Sequence, residues 1–467
     1  MEDVLIAGGG TVGLSAAVFL ARHGIRPLVI ERDSGPQIHP RATGVGLRTV
    51  ELLREVGLEA AVNAVAVDMT VTLGRATAPT LAAAGLPALG DTAPTRAQVL
   101  GDMSFTPARI RGTCPQNRLD RVLLEAARER GARVEYGTEL VAVEQDADGV
   151  TAHVRGPGGE RTIRARYLVA ADGVRSTVRR SLGIGVSGPG PLGPSLHNVL
   201  FEADLSALTG GVTFAMCDIT GPEAPGLLMT IDAEKEWVFH TAQEPSAELV
   251  RTAIGDPHLE LEILSTLGWR ARGQVADGFA AGRVFLVGDA AHAVPPTGAF
   301  GMNTGVADAH NLAWKLAHVL RGEADAALLD TYEQERRPVA LMTLEQAMIR
   351  MEHPMVHWGG DAESRARVGA INAPIVHMGY RYGTPIEDLP STEDITLVLD
   401  GSPGSRVPHV WVREGVSTLD LVDGRYCVFS AEPVEADVPV HVVEGWPYGR
   451  LLVRPDGIVA SAYTPGA

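Results

Sequence analysis

Val4-Leu5-Ile6-Ala7-Gly8-Gly9-Gly10-Thr11-Val12-Gly13-Leu14 is the stretch on which the rest of the reading depends. Its first four residues form a short, unbroken apolar run, the pattern of a strand buried on both faces of a parallel sheet. Gly8-x-Gly10-x-x-Gly13 follows at once. Leu14, Ala17, Val18 and Ala21 then recur at three- and four-residue spacing, which predicts a helix that Gly24 stops. Pro27-Leu28-Val29-Ile30 returns as a second buried strand ending at Glu31. In such a βαβ unit the glycines permit a tight turn, close approach of a pyrophosphate and close packing of helix on strand. A carboxylate at the end of the second strand can accept hydrogen bonds from a ribose diol. The pattern implies a bound dinucleotide and leaves open which one.

Further along, Gln116 to Arg130 reads as an amphipathic helix with Leu119, Val122, Leu123, Ala126 and Ala127 on one face. A strand from Arg133 to Tyr136 follows it. Residues 139–145, 150–155 and 161–166 read as three antiparallel strands, divided by the Asp148-Gly149 and Pro157-Gly158-Gly159 turns. From about 185 to 275 the chain turns to Pro/Gly-rich breaks and β-like stretches, such as Gly226 to Ile231 and Glu236 to His240, which predicts a separate sheet-based unit. Arg283 to Val287 is another buried strand, residues 288–301 a Gly/Pro-rich loop, and Asn303 to Leu320 a long helix, with another from Tyr332 to Met351. From about Thr396 short strands return as a small third unit.

Length agrees with this division, because 467 residues exceed the roughly 250–300 that one hydrophobic core can serve. Forty basic against fifty-seven acidic side chains give a net charge of -17, which argues against nucleic acid or an anionic membrane as the partner and favours small-molecule work. Cys114, Cys217 and Cys427 are three isolated thiols with neither CxxC nor Cys/His ligand spacing, so neither a disulfide framework nor a metal site is expected. No apolar run approaches the ~18–20 residues of a membrane span, and the chain opens on a strand rather than a leader, so a cytoplasmic enzyme is expected.

Two later stretches settle the choice of dinucleotide. Val169-Ala170-Ala171-Asp172-Gly173-Val174-Arg175-Ser176 and Val287-Gly288-Asp289-Ala290-Ala291-His292-Ala293-Val294-Pro295-Pro296-Thr297-Gly298 resemble the paired signatures of class A flavoprotein monooxygenases, the para-hydroxybenzoate hydroxylase family. Gly301-Met302-Asn303, Asp308 to Leu316 and Tyr332 to Pro338 extend the match. Within that family, Ile38-His39-Pro40-Arg41-Ala42 and Leu452-Val453-Arg454-Pro455-Asp456-Gly457 resemble the bacterial aromatic polyketide hydroxylases of the anthracycline and angucycline type. One departure is the end of the chain, where Val459-Ala460 is followed by Ser461-Ala462-Tyr463 instead of the family's Trp-Arg.

The resemblance implies an α/β fold: a Rossmann-like FAD-binding domain (1–66, 98–183 and 276–390), an inserted β-sheet substrate domain (67–97 and 184–275) and a C-terminal thioredoxin-like domain (391–467). It implies FAD as cofactor, held by Gly8, Gly10, Thr11, Val12, Gly13, Glu31, Arg32, Arg41, Gln116, Leu140, Asp172, Asp289, Pro296, Gly301, Met302 and Asn303. Asp289 would hold the ribitol, Asp172 would lie near the pyrophosphates, Arg41 would help the flavin swing, and the Pro296 carbonyl would sit beside the reacting flavin. NAD(P)H, NADPH by preference, and dioxygen are the expected co-substrates. The implied reaction is hydroxylation of a polycyclic aromatic polyketide or phenol through a C4a-hydroperoxyflavin, in secondary metabolism, by a monomer or homodimer. The alternatives are a Baeyer–Villiger oxygenase on a polycyclic ketone, an antibiotic-inactivating hydroxylase and a catalytically silent FAD-binding scaffold. His292 is expected to pack behind its loop. Met216, Met229 and Trp237 are candidates to line a roomy apolar cavity or a sheet core, and His240, Tyr380 and Tyr382 read as ordinary sheet or surface residues. No general base can be nominated.

Overall fold

The computed structural model describes residues 1–89, 103–356, 362–384 and 399–463. The unit boundaries expected at 97/98 and 390/391 lie outside the described residues. Among the described residues the three largest sheets each pack against one of the three largest hydrophobic clusters.

The largest sheet has eight strands. Glu2–Ala7 lies at its centre, parallel on one side to Leu28–Ile30 and on the other to Gly159–Ala170, which in turn pairs in parallel with Val284–Leu286. Val4, Leu5, Ile6 and Val29 are fully buried, as a strand covered on both faces requires. Helix Thr11–Arg22 packs against both Gln116–Glu129 and Phe300–Arg321. The three antiparallel strands expected after Tyr136 are present, and the last of them is longer than its pattern suggested. Its outer half closes the hairpin with Val150–Gly156, and its inner half, Tyr167 to Ala170, runs parallel beside the first strand. One strand therefore serves the surface meander and the buried sheet.

The second unit is a six-stranded sheet in the order Glu262–Trp269, Leu196–Glu202, Glu236–Thr241, Gly226–Thr230, Met216–Ile219, Arg75–Ala78. One face is closed by its own core: Val199, Phe201, Cys217, Leu228, Trp237 and Phe239 pack with Val250 and Ile254 of helix Ala247–Ile254. Trp237 stacks on Phe214 at 5.6 Å and donates Nε1–H to the Ala203 carbonyl at 3.0 Å, so it is sheet core and lines no cavity. Met216 and Met229 pair across strands on the opposite face.

The third unit is a four-stranded sheet of Val440–Val442, Cys427–Ser430, Leu451–Val453 and Val459–Ala462. Despite the altered tail, the last strand docks: Ala462 pairs with Leu451, and Tyr463 N–H donates to the Arg450 carbonyl at 2.7 Å. Three stretches that lie far apart in sequence meet where this unit joins the first. Arg454 bridges Glu335 and Asp456, each at 2.6 Å, Glu335 accepts from Lys315 at 2.8 Å, and Asp456 accepts from Trp314 Nε1 at 3.2 Å. Lys315 is wholly buried, which pulls its pKa down to about 8 against the attraction of Glu335. A charged cluster this deep is sustained only because every member has a partner.

Candidate active site

The glycine turn is shaped by contacts that a side chain would destroy. Gly8 has φ +109°, and a Cβ there would lie 2.2 Å from the Ala171 carbonyl oxygen. A Cβ on Gly13 would lie 1.9 Å from the Gly8 oxygen. Gly10 is different: nothing lies within 4 Å of where its Cβ would be. Two of the glycines thus allow backbone to touch backbone, and the third leaves open space before the start of helix Thr11–Arg22. That helix has no side-chain cap and no acidic residue in its first turn, so its first N–H groups and positive dipole end are left for an anion.

A second helix start has the same properties. Phe300–Arg321 begins three residues before the expected Asn303, because Ala299 takes the left-handed conformation (φ 54°) and turns the chain into the helix. Gly301 and Met302 therefore lie in the first turn, again without a side-chain cap or an acidic residue. The two helices are held close by small residues: a Cβ on Gly305 would lie 2.7 Å from Val12 Cγ2 and 2.9 Å from Gly288 Cα. Gly305, which sequence reasoning missed, is recognisable afterwards as a glycine repeating four residues after Gly301.

Around these helix starts stand side chains with free polar groups. Asp289 is solvent-accessible, with no hydrogen bond or ion pair to any described residue, and burial of its surroundings raises its pKa against the pull of His292 and Arg41. Arg41 is exposed and likewise unpaired among the described residues, within electrostatic reach of Asp289, Asp120 and His39. Asp172 accepts from Val178 N–H through Oδ2 at 3.0 Å, while its Oδ1 is buried without a partner. Glu31 is preset at its strand end, with one oxygen taking Gly9 N–H at 2.7 Å and the other Asp33 N–H at 2.9 Å. Gln116 reaches Thr11 Oγ1 at 2.9 Å, and Thr11 donates to Asp120 at 2.5 Å. Burial pushes the Asp120 carboxyl up to about 7, with Thr11 and Arg41 acting in the opposite direction. Asp120 was not foreseen; it falls on the buried face of an amphipathic helix, where a lone carboxylate is the available signal.

Other expected residues have different duties. The Asn303 amide is fully committed to protein: Oδ1 accepts from Gly46 N–H and Thr49 Oγ1, both at 2.7 Å, and Nδ2 donates to the Gly44 and Ala299 carbonyls. It clamps the 44–49 loop to the helix start, so its side chain is not left free for a cofactor. The Leu140 side chain lies in the main core, and its strand position pairs with Val154. Arg32 is exposed, 4.0 Å from Asp33. The Pro296 carbonyl accepts from Ala299 N–H at 3.0 Å, which fixes the turn before the long helix. His292, fully buried, bonds Asp308 at 2.6 Å, and Asp308 takes Arg336 Nε at 2.8 Å, so this network fastens the 288–299 loop from behind. Tyr380 and Tyr382 are neither sheet residues nor exposed surface residues. Tyr380 is buried, and the Tyr382 hydroxyl lies 3.2 Å from Arg336 Nη1 in the same network.

The arrangement fits a flavin dinucleotide on chemical grounds: an orphaned buried acceptor at Asp172, an open approach at Gly10, two uncapped helix starts, a free carboxylate and a free guanidinium. The three thiols do not compete for redox work, since burial pushes Cys114 and Cys427 up to about 12 and Cys217 up to about 11. Among the described residues no group of three His, Cys, Asp or Glu could hold a metal ion, and no helix is long and apolar enough to cross a membrane.

Comparisons with known proteins agree with this chemistry. Residues 1–347 match the FAD binding domain family. A putative polyketide hydroxylase of Streptomyces halstedii is 42% identical over 446 residues, covering 90% of this chain and 79% of its own. The tetracenomycin B2 monooxygenase-dioxygenase of Streptomyces olivaceus is 38% identical over 98% of this chain and 94% of its own. Among solved structures, the rebeccamycin biosynthetic enzyme RebC with reduced flavin superposes with TM-score 0.84 at 31% identity, over 100% of this chain and 96% of that one. Aklavinone-11 hydroxylase, in a ternary complex with FAD and aklavinone, gives 0.80 at 33% identity, over 99% and 96%. With the glycine turn, the Asp289 loop and the two open helix starts, these matches make the chain a member of the FAD-binding family of class A flavoprotein monooxygenases.

Proposed function

We propose that this FAD-dependent monooxygenase hydroxylates a polycyclic aromatic polyketide or phenol, with NADPH and dioxygen as co-substrates. The observation that carries the reading is the pairing of two uncapped, acid-free helix starts, whose helices meet where Gly305 and Gly288 pack on Val12, with the unpaired Asp289, next to Gly288, and Arg41 within electrostatic reach of it. FAD, when bound, supplies the transfer of electrons from NADPH to dioxygen and the delivery of one oxygen atom to an electron-rich ring.

The chain's residues would then divide the work. The N–H groups of Thr11 and Val12 and the space at Gly10 take the pyrophosphate, with Asp172 close by. Glu31 holds a ribose and Asp289 the ribitol. The Phe300–Arg321 helix start, through Gly301 and Met302, offers positive potential to negative charge on the isoalloxazine, and fixed dipoles of this kind stabilise developing charge without reorganising. Arg41, free of protein partners, can follow cofactor or substrate. The six-stranded sheet forms the floor that excludes water, and the C-terminal sheet is a thioredoxin-like unit with a structural role.

Purified protein reconstituted with FAD should oxidise NADPH faster when a tri- or tetracyclic phenol is added, and the product should carry one new ring hydroxyl. Protein that stays colourless after FAD is added overturns the reading; a lactone product would instead assign Baeyer–Villiger insertion.

A further inference from the structure

The six-stranded sheet has a second face, and strand register identifies what it presents. Residues paired across antiparallel strands share a face. His240 pairs with Asn198 on one side and Leu227 on the other; Asn198 pairs with Leu267; Leu200 pairs with Val238 and Ser265; Val238 pairs with Met229. Among these residues three are polar, His240, Asn198 and Ser265; Asp218, opposite Leu227 and ion-paired to Arg75, and the Glu202–Glu236 pair add charged groups to the same face, and Trp269 projects on the same side by alternation along its strand.

Each of the three polar groups has a distinct state. Ser265 Oγ lies 2.7 Å from His39 Nδ1, which lays the loop before Arg41 over this face. Trp269 donates its indole N–H to Asn198 Oδ1. That contact fixes which end of the amide is oxygen, so Asn198 Nδ2 is a donor, and it has no partner among the described residues although it is not sealed off. His240 lies edge-on to the Trp269 ring at 6.2 Å, and its ring nitrogens likewise have no partner and remain reachable. Burial and the nearby His39 lower the His240 pKa to about 4, so at neutral pH the ring is uncharged and has an acceptor nitrogen.

We infer that His240 and Asn198 form an acceptor–donor pair that recognises an aromatic ligand bearing a hydroxyl group beside a carbonyl. The hydroxyl donates to a His240 nitrogen, Asn198 Nδ2 donates to the carbonyl oxygen, and Trp269, Met229 and Leu227 meet the ring system. The pair occupies directly opposed positions on neighbouring strands, where side chains stand about 4.5–5.5 Å apart at Cβ and converge on one small motif. Leaving a buried polar partner unmatched is penalised more than a match is rewarded, which makes such a pair selective. The inference deepens the hydroxylase reading and rests on it.

The test uses FAD-loaded, oxidised protein without NADPH, titrated with 1-hydroxyanthraquinone and with unsubstituted anthraquinone, followed by flavin absorbance. Wild type should bind the hydroxyl-bearing probe at least tenfold more tightly. His240→Phe keeps the ring volume and removes the acceptor. Asn198→Asp keeps the oxygen that Trp269 needs and replaces the donor with an acceptor. Each should bring the affinity ratio close to one with FAD content unchanged. A wild type without preference, or two FAD-replete variants that keep the wild-type ratio, overturns the inference. FAD content and NADPH oxidation are read separately, so failure of the hydroxylase reading would be visible as loss of those signals instead.

Discussion

Two alanine substitutions three residues apart on the glycine turn should fail in opposite ways. Gly10 has φ -82° and ψ -174°, a conformation any residue adopts, and a methyl group there meets no protein atom within 4 Å. Gly10→Ala should therefore leave the apo fold within about 1 kcal/mol of wild type, the small loss of N-cap quality being offset by a stiffer unfolded chain. The methyl group instead occupies the path of the pyrophosphate to the N–H groups of Thr11 and Val12. Two charge-assisted hydrogen bonds at about 1.5–3 kcal/mol each correspond to a loss of roughly 10²–10⁴-fold in FAD affinity. Gly13→Ala puts its Cβ 1.9 Å from the Gly8 oxygen, against an ordinary closest contact of 3.4 Å, so helix and turn must part by roughly 1.5 Å. Both belong to the main core, and the expected destabilisation is about 3 kcal/mol or more. Flavin fluorescence titration and thermal unfolding of the apo protein, run on both variants, separate the two effects. A Gly10→Ala protein with wild-type FAD affinity would refute the assignment of the open space to the pyrophosphate.

Two other substitutions probe the same opening. Asp289→Ala removes a carboxylate that no described residue uses and should weaken FAD binding about tenfold to a hundredfold, while Cys427→Ser should leave it unchanged; equal FAD content in the two proteins would count against the ribitol role. Asp120 tests the electrostatics behind Thr11. Its carboxyl is raised to about 7 in the folded chain from 3.8, so the folded state holds a proton that the unfolded state has released, and this contribution to stability declines as pH rises from about 4 to 7. Asp120→Asn should flatten the apo melting temperature over that interval relative to wild type, and a wild-type slope in the variant would contradict it.

Local stereochemistry was legible early. The first strand, glycine turn and helix are decided by residues within twenty positions of one another, and the clash that excludes a side chain at Gly13 lies within the turn itself, whereas the one at Gly8 is with the distant Ala171 carbonyl. Boundaries were harder where a backbone choice has no strong sequence signal. Nothing in Ala299 announces a left-handed residue, so periodicity predicts the long helix three residues late, and no local signal shows that the Asn303 amide holds the 44–49 loop. Tyr380 and Tyr382 read as ordinary sheet or surface residues because their segment has little periodicity, and the guanidinium that packs against them, Arg336, lies more than forty positions away.

The βαβ opening, the acid-rich composition and the pair of motifs that marks a flavoprotein are legible in the sequence. Only the tertiary structure decided which side chains keep free polar atoms. Alternation along a strand tells which residues share a face, but a sheet covered on both sides has apolar residues on both, so Trp237 and Met229 looked equivalent until helix Ala247–Ile254 closed one face and the His39–Ser265 contact brought the Arg41 loop over the other. Distant partners satisfy Asn303, more than 250 positions away, and Arg454, 119 positions away at Glu335, and leave Asp289, His240 and the Asn198 donor open. A hydrogen bond already made cannot serve a ligand, and whether it is made is a fact about packing, which composition and spacing do not carry.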